Sequence, residues 1–151
     1  MLSPVYSDGL VFVGNAMALR AAIRPGGRGD VTETNLLWAV DDVAADICSP
    51  LAAGDFVFLL ETEGYLICYD AKNGDKVWEK DLAKTFMASP SLAGENVYLM
   101  AEDGVMIIIK AGRKFEEIGR CGLGEKSTAC PAFLNGRIYI RGEENLYCIV
   151  Q

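Results

Sequence analysis

The sequence predicts an all-β chain made of repeated four-stranded antiparallel sheets, and three observations carry that prediction. Four of its five prolines, Pro4, Pro50, Pro90 and Pro131, stand 46, 40 and 41 residues apart, each preceded by Ser or Cys. Seven residues after each comes an apolar triplet: "VFV", "VFL", "VYL" and "IYI". Between the apolar segments stand tight-turn pairs such as Gly54-Asp55, Glu63-Gly64 and Asn73-Gly74. Self-similarity at a period of ~40–45 residues marks a repeat architecture, and glycine-bearing pairs between short apolar runs mark hairpins.

Taken in order, each unit starts at its Ser-Pro or Cys-Pro anchor: "SPVYSDG", "SPLAAG", "SPSLAG" and "CPAFLNG". Proline has no N–H to give to a ladder, so it belongs at a sheet edge. In a propeller blade that edge is the first, innermost strand, facing the central channel. The apolar triplet is the second strand. An acidic turn follows in the last three units, "ETEG", "AEDG" and "GEEN", and then the third strand, "YLICY", "VMIII" and "LYCIV". The first unit offers "LRAAI" at that point. In the second unit the strands are expected near 47–52, 55–60, 65–70 and 75–80.

Segments such as "VMIII" are apolar on both faces although the tight turns require antiparallel pairing. A sheet buried on both sides must have neighbouring sheets stacked on each side. Four-stranded antiparallel sheets repeating in this way and packed face to face make a β-propeller. "NLLWAVDDVAADI", 35–47, also fits a helical period, but the repeat register sets Trp38 level with Trp78 on an outer strand. The expected blades are 1–44, 45–84, 85–126 and an incomplete 127–151, about 3.75 in all.

Composition narrows the function. Half of the residues are apolar, 51%, and mean hydropathy is +0.19, so a folded core is expected rather than disorder. No apolar run approaches the ~20 residues of a transmembrane helix, and no signal-peptide pattern opens the sequence. A net charge of −7 without a basic cluster argues against nucleic acid as a partner. The absence of histidine excludes Ser-His-Asp and Cys-His catalysis. Cys48, Cys68, Cys121, Cys130 and Cys148 form no C-x-x-C pair and read as small buried hydrophobes, with a Cys121–Cys130 bridge as the other reading.

The stretch "CYDAKNGDKVW", 68–78, resembles the signature A-x-D-x-x-T-G-x-x-x-W of the pyrroloquinoline-quinone-like β-propeller repeat family. It matches at Cys68, Asp70, Asn73, Gly74 and Trp78, with Cys for the alanine and Asn for the threonine. The first unit keeps Ala22 and Trp38 around an inserted "PGGRGDVTETN", and the third has "KAGRKFEEI" and no tryptophan. The resemblance implies that Cys68, Asp70, Gly74 and Trp78 form a blade-docking element rather than a catalytic one. It also implies, for dehydrogenases of the superfamily, a quinone stacked between a tryptophan and a vicinal Cys-Cys disulfide beside calcium. No vicinal cysteines occur here, so no cofactor is expected, and quinone with calcium belongs only to an alternative reading as half of a quinoprotein dehydrogenase. The family resemblance allows a periplasmic or secreted parent.

Two further expectations concern partners. Thirteen residues after the last three anchors stand Glu63, Asp103 and Glu144, with Glu61, Glu102 and Glu143 beside them. They would form an acidic rim at one end of the ring, suited to a cation or a basic protein. Arg28-Gly29-Asp30 in the glycine-rich insertion is too short a tripeptide to carry an adhesion function. Propellers commonly complete the last blade with a strand from the opposite terminus, and only Met1 and Leu2 stand ahead of the first anchor. The expectation is an open arc with an apolar face at each end. A face of roughly 600 Å² corresponds to about 15 kcal/mol of unrealised burial, part of which association would take back. The chain is therefore expected to pair with a second copy or with the missing half of a longer propeller, and to act as a non-catalytic interaction scaffold.

Overall fold

A computed structural model describes residues 2–14, 20–40 and 47–150. Among these the chain forms three four-stranded antiparallel sheets and one three-stranded sheet, each with its strands in sequence order. The first sheet holds β1 (Val5–Ser7), β2 (Leu10–Gly14), β3 (Arg20–Ile23) and β4 (Leu36–Val40). The second holds β5 (Leu51–Ala53), β6 (Phe56–Leu60), β7 (Tyr65–Asp70) and β8 (Lys76–Asp81). The third holds β9 (Ser91–Ala93), β10 (Asn96–Met100), β11 (Val105–Lys110) and β12 (Glu117–Gly122). The last holds only β13 (Ala132–Leu134), β14 (Arg137–Arg141) and β15 (Leu146–Val150). This is a partial β-propeller of three and three-quarter blades.

The first strand of the second unit starts at Leu51, not near 47. Backbone 48–50 is instead committed to the neighbouring blade. The Ser49 N–H donates to Ser89 Oγ at 2.9 Å, and the Ser3 N–H donates to Ser49 Oγ at 3.0 Å. Ser3, Ser49 and Ser89, each standing before its proline, thus link the inner edges of the first three blades. β1 lies beside β5 and β5 beside β9, which puts the short first strands innermost.

Both faces of the middle blades are buried. Phe58, Leu60, Leu66 and Cys68 of blade 2 meet Val97, Leu99, Ile107 and Ile109 of blade 3 in the largest core cluster, and all eight are essentially without exposure. Apolar residues on both sides of an antiparallel strand are thereby explained. The helical reading of 35–47 is not adopted, since Leu36–Val40 is β4; residues 41–46, and with them the blade boundary placed at 44/45, lie outside the described residues. One short helix not anticipated from sequence, α1 (Thr32–Asn35), lies in the insertion before β4. There Asn35 Nδ2 donates to the Arg24 and Gly26 carbonyls, 2.8 Å each, and ties the insertion's two ends together.

The cysteines correct a sequence expectation. Cys48 and Cys68 are buried, but Cys121, Cys130 and Cys148 are exposed, and all five are free thiols. Cys121 lies on an outer strand, and Cys148 on a sheet face with nothing packed over it.

Candidate functional site

The junctions between blades hold the sequence-singled residues, so the site is built there. In three blades the ladder between third and fourth strands shifts register at one place, after Ala22, Cys68 and Ile108. A bulge of this kind re-aims the side chains beside it. Opposite those residues stand Trp38, Trp78 and, in blade 3, Gly119.

Trp78 reaches out of its own blade. Its indole N–H donates to the Gly112 carbonyl of blade 3 at 3.0 Å, and its ring lies 5.8 Å from Phe58 and 5.6 Å from Phe115. Trp38 does the same one junction earlier, donating to the Ala71 carbonyl at 2.9 Å. The signature residues therefore contact two different neighbours. Trp78 points forward to blade 3, while Gly74 lies under the Trp38 ring of blade 1. Its φ is +76°, and a β-carbon there would fall 2.7 Å from Trp38 Cδ2, so only glycine fits. Asp70 caps the intervening turn by accepting from the Lys72 N–H at 3.0 Å, and it receives Arg113 of blade 3 at 3.2 Å. That ion pair has a guanidinium side chain 70% exposed and is worth ~0–1 kcal/mol. A buried aromatic is worth more, ~1.5–3 kcal/mol, so ring packing governs the junction. Cys68 lies across from Trp78, and burial, with Asp70 nearby, pushes its thiol up to about 12.

The acidic turns lie at the opposite end, and a second repeating device holds them. The two connections that follow blades 2 and 3 each bond back to their own blade's second turn and forward to the next blade's. The Leu82 and Phe86 N–H groups donate to the Gly64 and Thr62 carbonyls, and the Glu102 N–H donates to Thr85 O. One repeat later, Leu123 and Ser127 donate to Gly104 and Glu102, and Glu143 donates to Lys126 O.

Glu63, Asp103 and Glu144 are exposed on three successive turns of this end. They do not converge: among the described residues no three acidic or cysteine side chains come together closely enough to hold a metal ion. Asp103 is engaged by Lys84, whose hydrogen bond holds its carboxyl below the ordinary carboxylate range. Glu61, expected beside the rim, is buried and lies 3.5 Å from the buried Arg20 of blade 1. The rim is thus acidic but interleaved with lysines.

Glu125 is a residue the sequence reading missed. Its carboxylate accepts from the Glu144 N–H at 2.7 Å, the Asn145 N–H at 3.2 Å, Asn145 Nδ2 at 3.1 Å and the Tyr147 hydroxyl. These donors hold its pKa below the usual glutamate range, the tyrosine first. The only sequence signal was its place, one residue after a glycine in the connection between blades.

The family model described as outer membrane protein assembly factor BamB matches residues 27–114, more than half of the chain. The chain belongs to this family of pyrroloquinoline-quinone-like repeats. Among solved structures it is similar to BamB from Moraxella catarrhalis, with a TM-score of 0.73 at 16% identity over 97% of this chain and 41% of that one. It is similar to quinohemoprotein alcohol dehydrogenase ADHIIG from Pseudomonas putida HK5, with a TM-score of 0.71 at 15% identity over 92% of this chain and 28% of that one. The computationally designed Ika4 protein gives 0.72 at 13% identity, over 97% of this chain and 88% of that one. At such identities the likeness is one of fold. The chain spans less than half the length of the first two structures. No curated protein matches it in sequence.

The quinone site that the resemblance implies does not fit the described residues. Both tryptophans are committed to carbonyls of the next blade, and no vicinal cysteine pair exists to stack on a cofactor.

Proposed function

We propose that the chain is a non-catalytic propeller module that completes a larger ring, with a second copy or with further blades of a longer parent, and presents its turns to a partner protein. One observation carries this reading: the outward face of blade 4. Leu146 occupies the ladder position of Leu66 in blade 2, yet Leu66 is fully buried and Leu146 is 74% exposed. Leu134 and Val150 lie on the same face at 61% and 65% exposure. Exposed apolar side chains that the counterpart blades cover with a neighbour, here flanking Arg137 and Arg141 of the middle strand, mark an association surface.

Blade 1 supports the same reading from the other end. Pro50, Pro90 and Pro131 are buried, but their counterpart in blade 1, Pro4, is exposed. The family's description as an outer membrane protein assembly factor favours a role in binding other proteins. Glu63, Asp103 and Glu144 are the residues proposed to meet a basic partner.

The test is the mass of the purified chain in solution, with Leu146→Glu as the variant. Assembly beyond the monomer that the variant abolishes is the expected result. The dehydrogenase reading rests on fold likeness alone, and dye-linked alcohol oxidation with added quinone and Ca²⁺ is expected to be absent.

A further inference from the structure

The outward faces of blades 4 and 1 hold the two halves of a junction that the chain already makes. Between blades 2 and 3, Phe58, Leu66 and Cys68 meet Val97 and Ile109. The ladder positions of the first three are held in blade 4 by Tyr139, Leu146 and Cys148. Those of Val97 and Ile109 are held in blade 1 by Val11 and Ile23, which pair with each other beside Tyr6. Val97 and Ile109 are fully buried, whereas Val11 and Ile23 are half-buried and Tyr6 is 67% exposed.

A paired change matches these two faces to each other. Between blades 2 and 3, Arg113 pairs with Asp70 at 3.2 Å and lies over the Phe56 ring. In blade 4, Val150 and Arg137 take the places of Asp70 and Phe56. An arginine arriving there would lose its carboxylate and meet a like charge. Counted from its anchor proline, the place of Arg113 falls in blade 1 on Gly27, which brings no charge.

The insertion of blade 1 belongs to the same junction. In blades 2 and 3 the turn after the third strand reaches back to the preceding blade's tryptophan, at Ala71 and Gly112. In blade 1 that turn is the insertion before β4, exposed from Arg24 to Asp30, and blade 4 holds only three strands for it to reach over. The longest turn thus stands where an outer strand is absent among the described residues. The four sheets of one chain and four of another make eight, within the roughly 4–8 blades of a propeller. At roughly 600 Å² per face, two such junctions bury about 2,400 Å², the size of an obligate dimer interface. Blade 4 packed on blade 4 would bury about half as much.

Resting on the reading of blade 4's outward face as an association surface, we infer that its occupant is blade 1 of a second copy. The two chains close head to tail through two equivalent junctions, and the insertion of each lies over β15 of the other.

Mixing two variants tests this by light scattering. Leu146→Glu blocks the blade 4 face and Val11→Glu the blade 1 face, with Ile23→Glu as a second blade 1 block and circular dichroism as the check on folding. Each variant alone should be monomeric, and an equimolar mixture should recover a dimer, weaker than that of the unmodified chain, because one junction is intact. A folded Val11→Glu or Ile23→Glu that still dimerises, while Leu146→Glu does not, overturns the inference and leaves the association surface standing. An unmodified chain that stays monomeric overturns both. Cross-linking tests the same contact without blocking either face. Cys68 Sγ lies 4.0 Å from the Gly112 carbonyl, whose counterpart in blade 1 is Gly26. With Cys121 and Cys130 changed to serine, a short bis-maleimide should join Cys148 to Pro25→Cys of the second copy, and should give no covalent dimer without Pro25→Cys. A chain that elutes as a dimer and does not cross-link in this way overturns the head-to-tail arrangement.

Discussion

The indole of Trp78 donates its N–H to the carbonyl of Gly112, 34 residues further on and in the next blade, and Trp38 bonds to Ala71 in the same way. Each such bond closes a junction whose ring is already packed against an aromatic of its own blade. The first two junctions are therefore closed by one residue type, while blade 4 packs on blade 3 without it, through Met100, Met106 and Ile140.

Replacing Trp78 separates the packing from the bond. Trp78→Phe keeps a ring between Phe58 and Phe115 but loses the donor to Gly112, leaving its carbonyl short of a partner. A loss of ~1–2 kcal/mol is expected, against ~3–5 kcal/mol for Trp78→Ala. Urea unfolding of both variants checks the order.

Glycines in the hairpin turns should divide into two groups. At Gly64 and Gly104, φ is +102° and +81°, and a β-carbon would overlap the Lys84 and Glu125 carbonyls respectively. At Gly136, φ is +72° but nothing lies within 4 Å. Gly136→Ala should cost only the left-handed conformation, ~1–2 kcal/mol. Gly64→Ala and Gly104→Ala should cost more, because backbone has to move. Thermal melts of the three variants measure the difference.

Much of this was readable in the sequence, and the misses share one cause. The anchors, turns and outer-strand tryptophans recur within a unit, so the period alone places them. Contacts between units do not recur in any single motif. Gly74 serves as a turn residue in its own blade and as the seat of Trp38 in the neighbouring one, and only the first role shows locally. The Ser-Pro pattern was visible, but not that Ser49 and Ser89 carry hydroxyls to the preceding blade's N–H groups. Glu61 looked like a rim acid until Arg20 arrived from blade 1. Cys148 reads in the sequence as a small buried hydrophobe like the other cysteines; it holds the ladder position of the buried Cys68, and its exposure comes from what does not stand beside it.

Acid should loosen the turn end of the ring first. Glu125 and Asp103 have carboxyls held below their ordinary values by Tyr147 and Lys84. Their contribution is present above the ordinary values of 4.5 and 3.8 and is lost as pH falls through the depressed folded values. Glu125→Gln should flatten the stability profile in that acid window. Unfolding curves between pH 5 and about 2 read it directly.

The thiols should react in two classes. Cys121 and Cys130 are exposed and should be modified rapidly by an aromatic disulfide reagent at pH 8, and Cys148, on the association face, rapidly only in the monomeric Leu146→Glu. Cys48 and Cys68 should react only on unfolding, Cys68 with its thiol held up at about 12 by burial. Because that folded value lies above the ordinary 9.0, Cys68 favours the fold below pH 9 and loses that contribution as pH rises towards 12.

The central claim is that the outward face of blade 4 is an association surface, and light scattering coupled to size-exclusion chromatography tests it most directly. The account predicts a species near twice the 16.4 kDa chain mass, or larger assembly, reverting to monomer in Leu146→Glu. A chain that remains a clean 16.4 kDa monomer at every concentration would contradict it.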